Sequence, residues 1–415
     1  MTSRSSKFSP PPPGEKKPVA TASAPAGMIP PETLSLWRLF FSFLLLGSTA
    51  FGGPAILRQM KEFTVKDRRW LHEAEFREGL ALCQSLPGAT GMQMAAYIGR
   101  RHRGIPGALA AYAGFGLPAI TLMLLLSVLY ERYHDLHLIV PIFSGLQIVV
   151  VALIVHAAYM FGRETLKIPV DIGIAIFSAL LFGFAIHPLV IILAAAMAGL
   201  MLVKKTALAS PGQHDSQNWQ KAGGQIVILA LLTLTTYGMV FLVDRKLFDL
   251  ATVMLRVDLF AFGGGFGSLP IMFREVVAVK GWLDSKTFMD GIALGQITPG
   301  PIVVTATFAG YLLLGLAGAA IATIAIFTPS FLLLIAAAPF FDRFKAAPYF
   351  AVITQSIYAS FVGLLGFIAV KFGMAVHWEM IKVLFALAVL IALLKRLPLP
   401  GIVLAGALIS SFLFR

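Results

Sequence analysis

Two stretches of the chain, ALCQSLPGATG at 81–91 and ALGQITPGPIV at 293–303, share one arrangement: a glutamine, then Pro-Gly three residues later, inside apolar sequence. A proline within a helix removes a hydrogen bond and costs ~3 kcal/mol. The break frees backbone N–H groups at the start of the second piece and carbonyls at the end of the first. In hydrocarbon such groups are tolerated only where protein buries them or a watery cavity faces them. A helix N-terminus also carries partial positive charge, so the chemistry on offer is anion binding. The first stretch contributes Gln84, Pro87, Gly88 and Thr90, and the second Gln296, Thr298, Pro299 and Gly300. A glutamine amide here either donates to an oxyanion or ties down carbonyls that the proline frees, and both readings stand.

Other residues offer further chemistry. Glu78 and Asp290 each stand six residues before a glutamine. A carboxyl in an apolar element can carry a proton, which makes this pair proton-coupling candidates. Six residues turn a helix through about 240°, so acid and amide do not share a face. Arg256 and Asp258 lie in TVMLRVDLFAF, where a charge costs at least ~2.5 kcal/mol. Contact with a substrate or gate and a structural ion pair are both open for them. Gly52 and Gly53 in FGGP, and Gly263 and Gly264 in FGGGFG, end the first apolar element of each half. Their spacing is not G-x-G-x-x-G and no strand precedes them, which excludes nucleotide binding. Such glycines instead allow close backbone approach to a helix or an ion. His134 and His137 lack further metal ligands. With no Walker motif, no Ser-His-Asp arrangement and a lone cysteine, Cys83, no enzyme, metal or cofactor is expected.

The elements that must hold these residues follow from composition. Of 415 residues, 58% are hydrophobic and 13% charged, too apolar for a soluble chain of this length. Apolar runs long enough to span ~30 Å recur from Leu34 to Phe414. The expectation is an all-α polytopic membrane protein. The net charge of +13 sits in short clusters between apolar runs, such as Arg100 to Arg103, Lys204-Lys205 and Lys395-Arg396. That pattern fits cytoplasmic loops and lipid contact, not nucleic acid. Residues 1–33, rich in Pro, Ser, Ala and Lys, read as a disordered cytoplasmic tail.

The chain also repeats itself. RRWLHEAEFREGLALCQSLPG (68–88) matches KGWLDSKTFMDGIALGQITPG (280–300), GLPA (116–119) matches FTPS (327–330), and YERY (130–133) matches FDRF (341–344). The offset is 211 or 212 throughout, which marks one duplicated unit. The expected organisation is 34–203 for the first repeat, 204–246 for a polar linker and a connecting transmembrane helix, and 247–415 for the second repeat. Six membrane elements are expected in each, thirteen in all. In the first half they lie near 34–53, 74–100 (broken at Pro87), 105–130, 138–161, 169–186 and 188–203, and the second half follows suit. Six crossings and one linking crossing would insert the second half upside down. The Arg-rich corner at 100–103 aligns with uncharged Tyr311 to Leu314, as inversion requires. Arg58, Lys61, Lys66, Arg68 and Arg69 disagree, because they would then lie outside. Were the broken elements re-entrant hairpins, those basics would move inside, leaving eleven spans and parallel halves. The inverted arrangement is preferred.

FGGP, the Trp-Leu-x(4)-Phe-x-(Glu/Asp)-Gly stretch and Leu-x-Gln-x-x-Pro-Gly, in order and in duplicate, resemble the long-chain chromate ion transporter family over about residues 35–415. The resemblance implies one chromate-transporter domain per half, and export of chromate across the bacterial inner membrane, giving chromate resistance. It names chromate as the small-ion partner, with sulfate as its structural competitor, and is compatible with a homo-oligomer. Cys83 stands where that family has glycine, and Ala89 where it has a second proline. Alternatives are a carrier of another tetrahedral oxyanion such as sulfate or molybdate, or a passive anion channel. A dianion leaving a negative-inside cell gains about 4.6 kcal/mol at 100 mV, so export does not require the proton coupling usually ascribed to the family.

Overall fold

The computed structural model describes residues 34–51, 53–137, 139–202, 219–341 and 349–414. The expected tail (1–33), the polar part of the linker, Gly52 and most of the FDRF segment lie outside the described residues. Everything described is helix, turn or irregular chain. The first half runs α1 (Leu36–Thr49), α2 (Gly53–Lys61, continued by a π turn over Glu62–Asp67), α3 (Glu73–Ser85), α4 (Thr90–Tyr133), α5 (Val140–Thr165), α6 (Pro169–Gly183) and α7 (Pro188–Leu202). Helix α8 (Trp219–Val243) links it to α9 (Arg245–Leu259), α10 (Gly265–Phe273, continued by a π turn over Arg274–Val279), α11 (Ser285–Ile297), α12 (Thr305–Ala337), α13 (Phe350–Ala375), α14 (Met380–Leu394) and α15 (Leu399–Leu413). Among the described residues four helical stretches, Thr90–Tyr133, Val140–Thr165, Ile302–Ala337 and Phe350–Ala375, are long and apolar enough to cross a bilayer. The chain is a multi-pass membrane protein.

Short polar side chains start the helices where the chain meets water. Ser35 accepts from the Arg38 N–H (3.1 Å) at the start of α1. Asp244 accepts from the N–H groups of Lys246 (2.7 Å) and Leu247 (3.3 Å) at α9, and Asp284 does the same for Lys286 and Thr287 at α11. Each such cap satisfies donors that the helix cannot satisfy itself.

The largest departure from the sequence reading concerns direction. A β-carbon at Gly79 would fall 2.2 Å from the Tyr97 ring, and Arg101 is ion-paired to Glu75. Residues 79 and 97 would be about 27 Å apart along one straight helix. Helix α3 and the first leg of α4 therefore lie side by side and antiparallel, a hairpin with Pro87-Gly88 at its tip. In the other half a β-carbon at Gly291 would sit 2.4 Å from the Phe308 ring, so α11 and the first leg of α12 make the same hairpin.

Helix α4 then turns again. Arg103 (φ −140°, ψ 25°) and Gly104 (φ 60°, ψ −147°) are non-helical, as are Leu314 (φ −140°, ψ 25°) and Gly315 (φ 60°, ψ −148°) in α12. Past each corner the chain folds against the leg it has just left. A β-carbon at Gly99 would lie 2.1 Å from the Gly107 carbonyl oxygen, and one at Gly310 would lie 2.4 Å from that of Gly318. The Thr307 and Thr323 hydroxyls hydrogen-bond across this second hairpin at 2.7 Å.

The first element, expected to cross at 34–53, also turns back. Arg103 Nε donates to the Leu34 carbonyl (2.6 Å), while the Trp70 ring packs edge-on against His102 at 5.8 Å. Both ends of 34–70 thus meet one corner, with α1 and α2 forming a V. In the second half Lys280 pairs with Asp249 at 3.5 Å, closing the V of α9 and α10. The sequence misled here because apolar periodicity reports which face is greasy and not whether a leg crosses or returns. Arg58, Lys61, Lys66, Arg68 and Arg69 close the α1–α2 V and lie at the same end as Arg100 to Arg103. At that mouth Glu73 accepts from Lys61 (2.9 Å) and Arg77 (2.7 Å), and these hydrogen bonds hold its carboxyl below the usual carboxylate range.

Candidate functional site

The hairpin tips meet in the interior. The Gly88 N–H donates to the Ala261 carbonyl (2.8 Å), and the Gly300 N–H donates to the Ala50 carbonyl (2.7 Å). Each Pro-Gly tip is therefore stapled to the V tip of the other half. Gly88 and Gly300 adopt φ of 110° and 102°, and Gly263 and Gly264 adopt 84° and 77°. These are left-handed conformations that only glycine takes without strain. Helices α2, α4 and α10, and the Ile302–Val304 turn that leads into α12, all begin at these tips. Four N-terminal ends, each carrying partial positive charge, thus converge on one buried region.

The carbonyls released at the same tips are largely taken up by protein. Gln93 Nε2 donates to the Pro87 carbonyl (2.7 Å) and the Ser330 carbonyl (3.4 Å). Thr298 donates its hydroxyl to the Gly295 carbonyl (2.9 Å) and its N–H to the Leu294 carbonyl (3.2 Å). The Tyr358 hydroxyl donates to the Gln84 carbonyl. With the negative ends of the first legs neutralised this way, the N–H ends dominate the local field.

The residues singled out from sequence divide between this region and its surroundings. Pro87, Gly88, Thr90, Thr298, Pro299, Gly300, Gly263 and Gly264 all sit at the tips, and Gly53 begins α2 there. A β-carbon at Gly264 would lie 3.2 Å from the Thr90 hydroxyl. The two glutamines are not alike: Gln84 is exposed, whereas Gln296 is buried with its Nε2 unpartnered among the described residues. The carbonyl-holding role considered for Gln84 falls to Gln93. The acids differ too. Glu78 is exposed near the mouth of its hairpin, while Asp290 is buried and accepts from Tyr130 Oη and Gln147 Nε2, both at 2.9 Å. Asp290 lies eight residues short of Thr298, hence about 12 Å from the tip along α11.

Arg256 and Asp258 face apart. Arg256 is 43% exposed and reaches Glu275 at 3.9 Å, and Glu275 is also held by Arg274 at 2.7 Å. Arg274 in turn donates to the Ala185 carbonyl (3.0 Å), tying the α6–α7 turn to α10. In this structure Arg256 thus sits in an ion pair with another element. Asp258 is fully buried, and its Oδ2 accepts from the Ser330 N–H (2.7 Å) and from the Ser330 hydroxyl. Sequence reasoning used Ser330 and Tyr130 only to align the halves and passed over Gln93, Gln147 and Tyr358. Gln93 reaches Ser330 across 237 residues, Gln147 reaches Asp290 across 143 and Tyr358 reaches Gln84 across 274, and no local pattern marks such a contact.

Beside the tips, Phe161, Phe262, Gly263, Gly267, Tyr358 and Phe361 line a hollow of 10 Å³. That is room for about one water. The tips themselves, residues 87–89 and 298–304, are buried.

One family model, described as chromate transporter, matches residues 37–200 and matches again over residues 248–411. The chain belongs to the chromate transporter family. It is 39% identical to an uncharacterized transporter of Methanocaldococcus jannaschii over 87% of this chain and 90% of the relative. A probable chromate transport protein of Synechococcus elongatus is 29% identical over 90% of this chain and 94% of its own length. A chromate transport protein of Cupriavidus metallidurans is 28% identical over 91% and 93%. No solved structure matches the chain.

Proposed function

We propose that this family member is a secondary carrier that exports chromate across the bacterial cytoplasmic membrane and so confers chromate resistance. The observation that carries the reading is the convergence of four helix N-terminal ends on one buried region between the halves. Such ends bind tetrahedral oxyanions through backbone donors, without a fixed cation that would hold the ion too tightly to release. Relatives named as chromate transport proteins supply the ion. The buried tips favour a carrier over an open channel. In everted vesicles given chromate from outside, the protein should raise chromate accumulation several-fold over vesicles lacking it, and excess external sulfate should compete. Accumulation equal to empty vesicles would overturn the reading, and sulfate transport at a higher rate would reassign the substrate.

The halves are further inferred to be inverted repeats with nine crossing helices and four hairpins that enter and return. Staples Gly88–Ala261 and Gly300–Ala50 exchange under the offset of 211 or 212. Tyr130, near the end of α4, meets Asp290, near the start of α11, at 2.9 Å. The second half's hairpins therefore open at the opposite end of the molecule from the first. Two hairpins and four crossings per half, with α8 as a fifth, restore inversion together with the basic cytoplasmic mouth. In a Cys83→Ser background, cysteines at 103 and 314 should be labelled by an impermeant thiol reagent from opposite sides. Labelling from one side would exclude the inversion.

A further inference from the structure

The mechanism outlined above uses no side-chain acid, yet one is buried at the tips. Asp258, in the last turn of α9, has 0% exposure. The ideal β-carbon position of Gly88 lies 3.2 Å from its Oδ1. The groups facing it from the elements packed around it are neutral. Helix α12 presents Ser330, α4 presents the Tyr112 hydroxyl, which donates to the Phe327 carbonyl (2.8 Å), and the Pro-Gly tip presents Gly88. Arg256, two residues earlier on α9, is directed to Glu275 instead. Among the described residues Asp258 Oδ1 has no hydrogen-bond partner, and neither has Gln93 Oε1, whose amide nitrogen spans Pro87 and Ser330 in the same cluster. Two buried acceptors without a donor in one cluster, with no cationic side chain of the described residues paired to Asp258, describe a place suited to a proton. The acid belongs to one half only: its counterpart is Gly47, and that of Ser330 is Ala119.

We propose that Asp258 is a proton-binding site, and that proton and oxyanion bind and move together, one of each. The inference rests on the tips being the anion site. An ionised Asp258 and a dianion at the start of α4 would be like charges a few ångströms apart in a low dielectric, so each excludes the other. Protonation removes that repulsion and turns Oδ1 from an orphaned acceptor into a donor. Binding of either ligand thereby favours the other, which is the linkage a cotransporter needs. The pair carries net charge −1, so the membrane potential still drives it out of a negative-inside cell.

The test uses the purified full chain in proteoliposomes, with the potential clamped to zero by potassium and valinomycin. A gradient of one pH unit, alkaline inside, should drive chromate inward to an about tenfold ratio, since each decade of either gradient is equivalent. Asp258→Asn keeps the size of the side chain and an acceptor for the Ser330 N–H. It should let chromate equilibrate but bring the ratio to about one. Asp258→Glu, which keeps an acid, should retain accumulation and serves if the Asn variant does not fold. A wild-type ratio of one with normal flux, accumulation on the acid side, or a tenfold ratio in Asp258→Asn would each overturn the proposal. No wild-type flux at all would strike the transport reading itself.

Discussion

Gly88→Ala and Gly300→Ala should each cut chromate flux below about a tenth of wild type, while Gly104→Ala stays close to it. At φ of 110° and 102° an L-residue costs about 1–3 kcal/mol, and each 1.4 kcal/mol is a factor of ten. Contact adds to the strain. The new methyl at 88 would stand 2.5 Å from the Ser330 hydroxyl and 2.6 Å from its β-carbon, and the one at 300 would stand 2.9 Å from the Ala119 methyl. Relief requires the tip to retreat, and retreat breaks the staple to Ala261 or Ala50 and turns the N–H ends away from their common focus. Gly104, at φ of 60°, carries backbone strain of the same kind, so its alanine should lower stability, but it has nothing within 4 Å of its β-carbon position and no place at the tips, so flux per unit of protein should hold. Flux per unit of protein in the membrane checks the contrast. Wild-type rates in both tip variants would remove the tips from the transport pathway.

The second large effect concerns folding and not transport. Gly99→Ala and Gly310→Ala should each destabilise the protein by about 1–3 kcal/mol, at the upper end of what overpacking costs. A methyl at 99 would meet the Gly107 carbonyl oxygen at 2.1 Å, and one at 310 would meet that of Gly318 at 2.4 Å and the Ala322 methyl at 2.6 Å. These neighbours are backbone or short side chain, and no rotamer change clears the space. The two legs of α4 or α12 would have to part along their length, undoing packing that continues to the tips. Gly173→Ala in α6 is the control, because nothing lies within 4 Å of its β-carbon position. There alanine should be neutral or stabilising by about 0.5–1 kcal/mol, as in any exposed helix. Thermal unfolding in detergent, followed by size-exclusion recovery, separates the cases. Equal melting temperatures for Gly99→Ala and Gly173→Ala would mean that the legs are not apposed as described.

Much of the candidate site could be singled out from the chain alone. The Gln-x-x-Pro-Gly pair, the glycines of FGGP and FGGG and the charges Arg256 and Asp258 stood out as candidates, because proline, glycine and charge are rare and costly in apolar sequence. Their duplication pointed to a paired device, and their order carried the family resemblance. Three matters needed the tertiary structure. Whether a leg crosses or returns is decided by contacts such as Gly79 on Tyr97 and Leu34 on Arg103, and helical periodicity is the same in either direction. The different surroundings of Gln84 and Gln296, or of Glu78 and Asp290, arise from neighbours that the duplication does not conserve. The seat of Asp258 depends on Ser330, 72 residues away. A sequence shows which groups would be costly to bury, whereas only the packed chain shows which of them found a partner and which was left waiting for one.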